Sequence, residues 1–273
     1  MILHLLWRPS QAADPAAEQQ LQLARMLSYA TRETRFYREY GSAKALSELP
    51  RIELLDYLRH PEGFDVKSAP PHPRQDLAYP VGRPPRTAVL GQEITGGIRV
   101  RRFHSYRSTR LAEFAPAALA APSDTIRALA HSIKEGEIQW KPLRQALIVF
   151  NDVVRGSLTE EDRDYFWKVF QVPVFEQFRG FAGELLAQEC EAHEGMHLQQ
   201  QNVIVETEPD GQLLFSFLRN PRTPLFRMAT NLTGRLAVGP CDCGATTPRL
   251  LDVRRRTATP ASHRDLAVVN LEM

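Results

Sequence analysis

The chain has 273 residues, with 34 basic against 32 acidic side chains for a formal charge of +2, and three cysteines. That length holds one large domain or a domain with a smaller lobe, and the near-balance of charge calls for no nucleic-acid partner. Three cysteines make no disulfide framework in a chain this long, which points to a reducing compartment. No stretch is apolar for long enough to cross a bilayer, and Met1–Trp7 has neither the basic flank nor the cleavage site of a leader. These readings predict a cytoplasmic protein with no membrane partner. Two short basic clusters, Arg99 with Arg101 and Arg102, and Arg254–Arg256, read as solvated faces.

In chain order, Asp14-Pro15 is an N-cap with proline at the first helical position, and Leu23, Met26, Leu27 and Ala30 recur at helical spacing, so a helix is predicted to about Tyr40, ended by Gly41. A second helix is predicted over Arg51–Arg59. From Pro61 to Pro85 prolines are frequent and periodicity is absent, which reads as an extended surface connection. Strands follow at Thr87–Leu90 and Ile98–Phe103, then helices at Ser108–Phe114 and, capped by Ser123, through Ile133. Ala146–Phe150 and Val172–Phe178 are apolar strands flanking a helix capped by Thr159, with Phe166, Val169 and Phe170 on its buried face. A strand–helix–strand unit of this length implies parallel pairing with a right-handed crossover. Its ligands belong beyond the carboxyl ends of the strands, here Asn151-Asp152 and Arg179-Gly180. Leu185–Cys190 reads as a further strand, and Asn202–Glu208 with Gln212–Leu218 as a hairpin across Asp210-Gly211.

All three cysteines enter one pattern: Cys190, then His197 after six intervening residues, then Cys241-x-Cys243. Thiolate and imidazole in a set of four are the donors of a structural zinc site, closed and therefore stabilising rather than catalytic. His193 competes as the fourth ligand. His197 is favoured because it follows the Gly195 turn and opens a strand, whereas His193 sits in the turn itself.

The run Ser157-Leu158-Thr159-Glu160-Glu161, Val174-Phe175-Glu176, Glu189-Cys190-Glu191, Gly195-Met196-His197, Pro224-Leu225-Phe226-Arg227, Cys241-Asp242-Cys243-Gly244 and Pro248-Arg249 resembles, in order and spacing, the phenylacetate-CoA ligase group of adenylate-forming enzymes. Tyr29-Ala30 and Phe36-Tyr37-Arg38-Glu39 resemble that family's first helix. The resemblance implies an α/β fold: a mixed sheet with a βαβ unit like the adenylate-forming N-terminal domain (residues 86–184), a zinc-stabilised β lobe and tail (185–273), and an N-terminal helical arm with its proline-rich connection (1–85). It also implies that Cys190, His197, Cys241 and Cys243 hold zinc.

The chain departs from the family where the chemistry is done. No Ser/Thr/Gly-rich phosphate loop is visible, and Thr95-Gly96-Gly97 reads as a turn. The family's Arg-Thr-Gly-Asp is written Ala229-Thr230-Asn231-Leu232, so the ribose carboxylate is gone and Asn231 offers only a weaker hydrogen bond. No lysine follows Lys168 to serve as the lid lysine. Glu184, after Phe178-Arg179-Gly180-Phe181-Ala182-Gly183, reads either as a divergent magnesium-binding Glu or as a strand-entry carboxylate. Glu184 and Asn231 are therefore the cofactor-binding candidates, and no catalytic residue is assigned. The expectation is a truncated, zinc-binding ligase relative with no autonomous ligase activity and without ATP or CoA as cofactor. Two alternatives stand beside it: an active enzyme binding a nucleotide or small acyl or aryl ligand under a partner's lid, and a protein-interaction module.

Overall fold

The computed structural model describes residues 14–70 and 75–256; the Met1–Trp7 reading and the tail beyond Arg256 lie outside the described residues. Five α-helices form among them: α1 (Pro15–Glu33), α2 (Leu54–Arg59), α3 (Thr109–Phe114), α4 (Ser123–Lys134) and α5 (Glu160–Phe170). The strands are β1 (Ile52–Glu53), β2 (Gln75–Asp76), β3 (Thr87–Leu90), β4 (Ile94–Thr95), β5 (Val100–Phe103), β6 (Ala118–Pro122), β7 (Ala146–Asp152), β8 (Val174–Arg179), β9 (Leu185–Glu189), β10 (Met196–Leu198), β11 (Val203–Thr207), β12 (Gln212–Phe217), β13 (Met228–Ala237) and β14 (Arg249–Arg255).

Twelve strands make one sheet in the order β11-β12-β13-β14-β10-β9-β8-β7-β6-β3-β5, with β1 beside β13, while β2 and β4 form a separate pair. The half from β5 to β8 is parallel. Its strands β3, β6, β7 and β8 are buried almost throughout, as expected for strands covered on both faces. From β8 onward the neighbours along the sheet run antiparallel. The strands of the predicted β lobe form the antiparallel half of this sheet, joined to the parallel half through the β8–β9 hairpin.

The predicted βαβ unit is β7–α5–β8, and its pairing is parallel, with Ile148 beside Phe175 and Asp152 beside Arg179. Thr159 starts α5 with a capping box: its hydroxyl accepts from the Asp162 amide, and the Asp162 carboxylate accepts from the Thr159 amide. Leu129, Phe166 and Phe170 then press α4 and α5 onto Leu119, Leu147 and Val149 of the sheet. A second core joins α1 to the antiparallel half through Leu23, Leu27, Phe215, Phe217 and Met228. Tyr37 is the pin between them. It is fully buried, packs edge-on to Phe226 at 5.2 Å, and its hydroxyl accepts from the Phe226 amide at 2.9 Å.

Several expectations shift locally. α1 stops at Glu33, not Tyr40, because Thr34 turns extended and its hydroxyl both donates to the Ala30 carbonyl and accepts from the Tyr37 amide; only a 3-10 turn, Tyr37–Tyr40, follows. The predicted Arg51–Arg59 helix is split, since Ile52 and Glu53 pair with Met228 and Ala229 before α2 begins. The stretch 61–85 is more than a surface connection: Phe64, Val66 and Leu77 are buried, and the Phe64 ring lies 4.5 Å from that of Phe36. β5 begins at Val100 because Gly97–Arg99 makes a 3-10 turn that leaves Ile98 94% exposed. Pro122, not Ser123, occupies the cap position of α4, and no side chain closes it.

Candidate metal centre and crevice

The sheet order explains why four distant residues meet. Cys190 follows β9, His197 lies in β10, and Cys241 and Cys243 sit in the turn between β13 and β14; β9, β10 and β14 are neighbours. The metal-ligating atoms of the four all lie within 4.8 Å of one another. Cys190 Sγ is 3.7 Å from Cys241 Sγ, and Cys243 Sγ is 3.4 Å from His197 Nε2. A tetrahedral zinc with sulfur ligands at about 2.3 Å has ligand–ligand edges of about 3.8 Å. The donor set and its spacing therefore fit that ion.

Local chemistry supports the arrangement. Thr247 Oγ1 holds His197 Nδ1 at 2.8 Å, which turns Nε2 toward the thiols. Burial, then the Arg249 charge, lowers the His197 pKa and favours the neutral imidazole that can ligate. Burial first and the neighbouring thiols next push the Cys190 thiol up to about 11, so a thiolate there calls for a cation. The Cys241 turn closes on itself, with the Cys241 amide donating to Ala245 and the Gly244 amide to Cys241. Gly195, at φ +88°, brings β10 against β14: a Cβ there would stand 2.1 Å from Leu251 Cδ2 and 2.6 Å from the Leu250 carbonyl oxygen.

His193 points elsewhere. Its ring stacks on Phe175 with centroids 4.8 Å apart, and Nδ1 lies 3.8 Å from Glu189 Oε2. It belongs to a polar network that sequence reading missed. Glu176 accepts from the Asn151 amide nitrogen, the Leu158 backbone and the Ser157 hydroxyl, and Arg163 bridges Glu176 and Glu189 at 3.3 and 2.6 Å. Burial raises the Glu176 pKa. Burial works on Glu189 in the same sense, but His193 and Arg163 outweigh it and hold that carboxyl below the usual range. The available signal was two carboxylates inside otherwise apolar strands, Val174-Phe175-Glu176 and Leu185–Glu189. A groove of about 1520 Å3 opens over this network between α5 and β14.

At the carboxyl ends of β7 and β8 the predicted crevice residues are adjacent, with Asn151 beside Phe178 and Asp152 beside Arg179. Arg179 is 1% exposed, with its guanidinium 4.5 Å from the Phe150 ring centre and donating to Gly183 O and Gln177 Oε1. Glu184 is equally buried and folds over Gly180, where a Cβ would come within 2.3 Å of its carboxyl carbon. One oxygen accepts from the Ala182 amide at 2.9 Å; the other, Oε1, has no partner. Burial raises Glu184 to about 7 and lowers Arg179 to about 9. Asn231 is exposed on β13, and its carbonyl accepts from the Arg256 amide. No hydrogen bond among the described residues brings Asn231 to Glu184.

The chain matches no protein-family model and no curated protein sequence. Solved structures do match it. 2-Hydroxyisobutyryl-CoA ligase in an open conformation, in complex with 2-HIB-AMP and CoA, superposes with a TM-score of 0.64 at 16% identity over 94% of this chain and 75% of that one. The same enzyme in its thioesterification state, again with 2-HIB-AMP and CoA, gives a TM-score of 0.65 at 16% identity, over 91% and 69%. The chain therefore shares the mixed α/β fold of that CoA ligase. Because those neighbours carry an acyl adenylate and CoA, the fold itself gives no ground for setting such ligands aside.

Proposed function

We propose that this chain is a ligase-fold protein of the phenylacetate-CoA ligase type in which Cys190, His197, Cys241 and Cys243 hold a structural zinc ion, and that the isolated chain does not form acyl adenylates. The observation that carries the metal assignment is the gathering of four donor atoms within 4.8 Å of one another, with His197 oriented by Thr247. When bound, the ion would fix the β13–β14 turn to β9 and β10; the chain's own residues favour the neutral imidazole and bury the Cys190 and Cys241 thiols.

The reading of lost adenylation is supported by the residues at the crevice. Arg179 is buried there with its guanidinium bonded to Gly183 and Gln177, Glu184 spends one oxygen on its own turn, and Leu232 and Asn231 offer no carboxylate for a ribose. Adenylation depends on positioned charge around the phosphates, which these residues do not supply. Pyrophosphate release with ATP, magnesium and a panel of aryl and alkyl carboxylic acids tests this: no release above background is expected, and release with any acid refutes it. A second reading, that the crevice binds an acyl adenylate or CoA without making it, is favoured by the ligands of the structural neighbours. Thermal shift with AMP and CoA separates the two, since a ligand at about a hundred times its dissociation constant adds about 2.7 kcal/mol to the native state.

A further inference from the structure

Seven arginines fall between residues 81 and 110 against one carboxylate, Glu93, in a chain whose formal charge is only +2. All seven are exposed. They gather on and around β5, the end strand of the large sheet. Arg102 pairs with Glu93 at 2.7 Å and Arg107 with Glu137 at 2.8 Å. The other five, Arg83, Arg86, Arg99, Arg101 and Arg110, have no carboxylate within ion-pair distance among the described residues.

Two of these five are held together. The guanidinium carbons of Arg86 and Arg101 lie 4.8 and 5.3 Å from the centre of one ring, that of Phe114, and Arg86 also donates to the Phe114 carbonyl. Each cation gains from the ring, but the pair repels unless an anion lies beside it. Next to them the Gly96-Gly97-Ile98-Arg99 turn presents Ile98 at 94% exposure, and Val81, close in sequence to Arg83, is 45% exposed. Bare aliphatic tips among arginines suit a headgroup–acyl boundary. A single-stranded nucleic acid would ask for free aromatic faces, whereas Phe103 and Tyr106 pack on the helical core.

We propose that this edge docks on an anionic phospholipid surface, with lipid phosphates meeting Arg86 and Arg101 and Ile98 entering the acyl boundary. Such a contact needs no membrane-spanning segment, and no helix among the described residues is long and apolar enough to be one. It also rests on none of the residues of the metal centre or the crevice.

The test is co-sedimentation of the whole chain with phosphatidylcholine vesicles containing about 30% phosphatidylserine, against pure phosphatidylcholine, at about 150 mM NaCl, where the screening length is about 8 Å. Binding to the serine-lipid vesicles alone is expected, reversed by molar salt. Arg86→Gln and Arg101→Gln should each weaken it about fivefold, the worth of one basic residue near such a surface. Ile98→Ser should weaken it about tenfold through lost apolar burial. Arg254→Gln, on the distant β14, should leave binding unchanged. All four positions are exposed, and circular dichroism confirms that the variants fold. Equal binding to both vesicles, no binding, or an equal loss with Arg254→Gln overturns the proposal. So does full displacement from vesicles by about 20 mM inorganic phosphate, which would mark a free-phosphate site. Tighter binding to duplex DNA than to vesicles at the same salt would assign the edge to nucleic acid instead.

Discussion

Removing either histidine near the thiols tells a metal ligand from a packing residue, because the two changes act on different parts of the stability. A zinc ion bound only by the native state, at a free concentration about a hundredfold above its dissociation constant, adds about 2.7 kcal/mol. For a chain of this size that corresponds to a fall of about 5–10 °C in Tm when EDTA strips the ion. His197 presents Nε2 to Cys243 at 3.4 Å, so His197→Ala should lose the EDTA-sensitive part and melt at the same low temperature with or without chelator. His193 contributes a ring stacked on Phe175 at 4.8 Å, so His193→Ala should lose about 1 kcal/mol, about 2–4 °C, and keep the full EDTA shift. Calorimetry with and without EDTA, beside metal analysis of the purified proteins, reads both quantities. A wild-type protein that ignores EDTA and carries no zinc, or an EDTA shift lost in His193→Ala and kept in His197→Ala, refutes the assignment.

Three further outcomes follow from the packing. Glu184 has a native pKa of about 7 against an ordinary 4.5, so the native state keeps a proton that the unfolded chain has released; its contribution is fully present below pH 4.5 and lost as pH rises through about 7. Glu184→Gln should remove that loss, matching wild type near pH 4.5 and exceeding it by about 3 kcal/mol at pH 8 in urea unfolding; equal stability at both pH values would contradict it. Gly195→Ala, which forces a Cβ onto Leu251 and the Leu250 carbonyl at positive φ, should cost about 2–4 kcal/mol, seen as a lower urea midpoint at constant slope. Tyr37→Phe strands the buried Phe226 amide and should cost about 1–3 kcal/mol, an effect absent if water reaches that amide.

Where the sequence carries a local physical cause, the structure follows it. The apolar run Ala146–Phe150, the Thr159 cap and the second apolar run were sufficient for β7–α5–β8, because capping and burial on both faces are decided within a few residues. The four-residue Cys/His set was legible because it uses every thiol of the chain and the Gly195 turn favours His197. What escaped depends on partners far along the chain. β1 is a strand only because Met228 and Ala229 lie beside it, and Ile52–Glu53 alone reads as the start of a helix. Phe64 and Val66 look like loop residues among prolines until Phe36, Tyr37 and Tyr57 close around the Phe64 ring. The end of α1 was hidden for another reason: Thr34 offers the backbone a side-chain alternative to the next helical turn, a competition that periodicity does not register.

The crevice shows where residue type stops determining chemistry. In the sequence Arg179-Gly180 lies just past the strand Val172–Phe178 at the expected ligand crevice, and Glu184 reads as the start of the next strand or a cation ligand. All six residues of β8 are buried, however, so alternation gives no direction for Arg179, and its guanidinium turns inward over Phe150. Gly180 lacks the Cβ that would keep the Glu184 carboxyl away. The buried arginine and the buried carboxyl each favour the other's charged form, but burial outweighs that attraction and moves both toward neutrality. A phosphate-bearing ligand at this end would meet a cation already committed to Gly183 and Gln177, and an acid whose partnered oxygen serves its own turn. Arg179 and Glu184 are thus the two buried ionisable side chains at this end of the sheet whose hydrogen bonds are made within the β8–β9 connection and to Gln177, so a test of ligand binding here begins with their substitution.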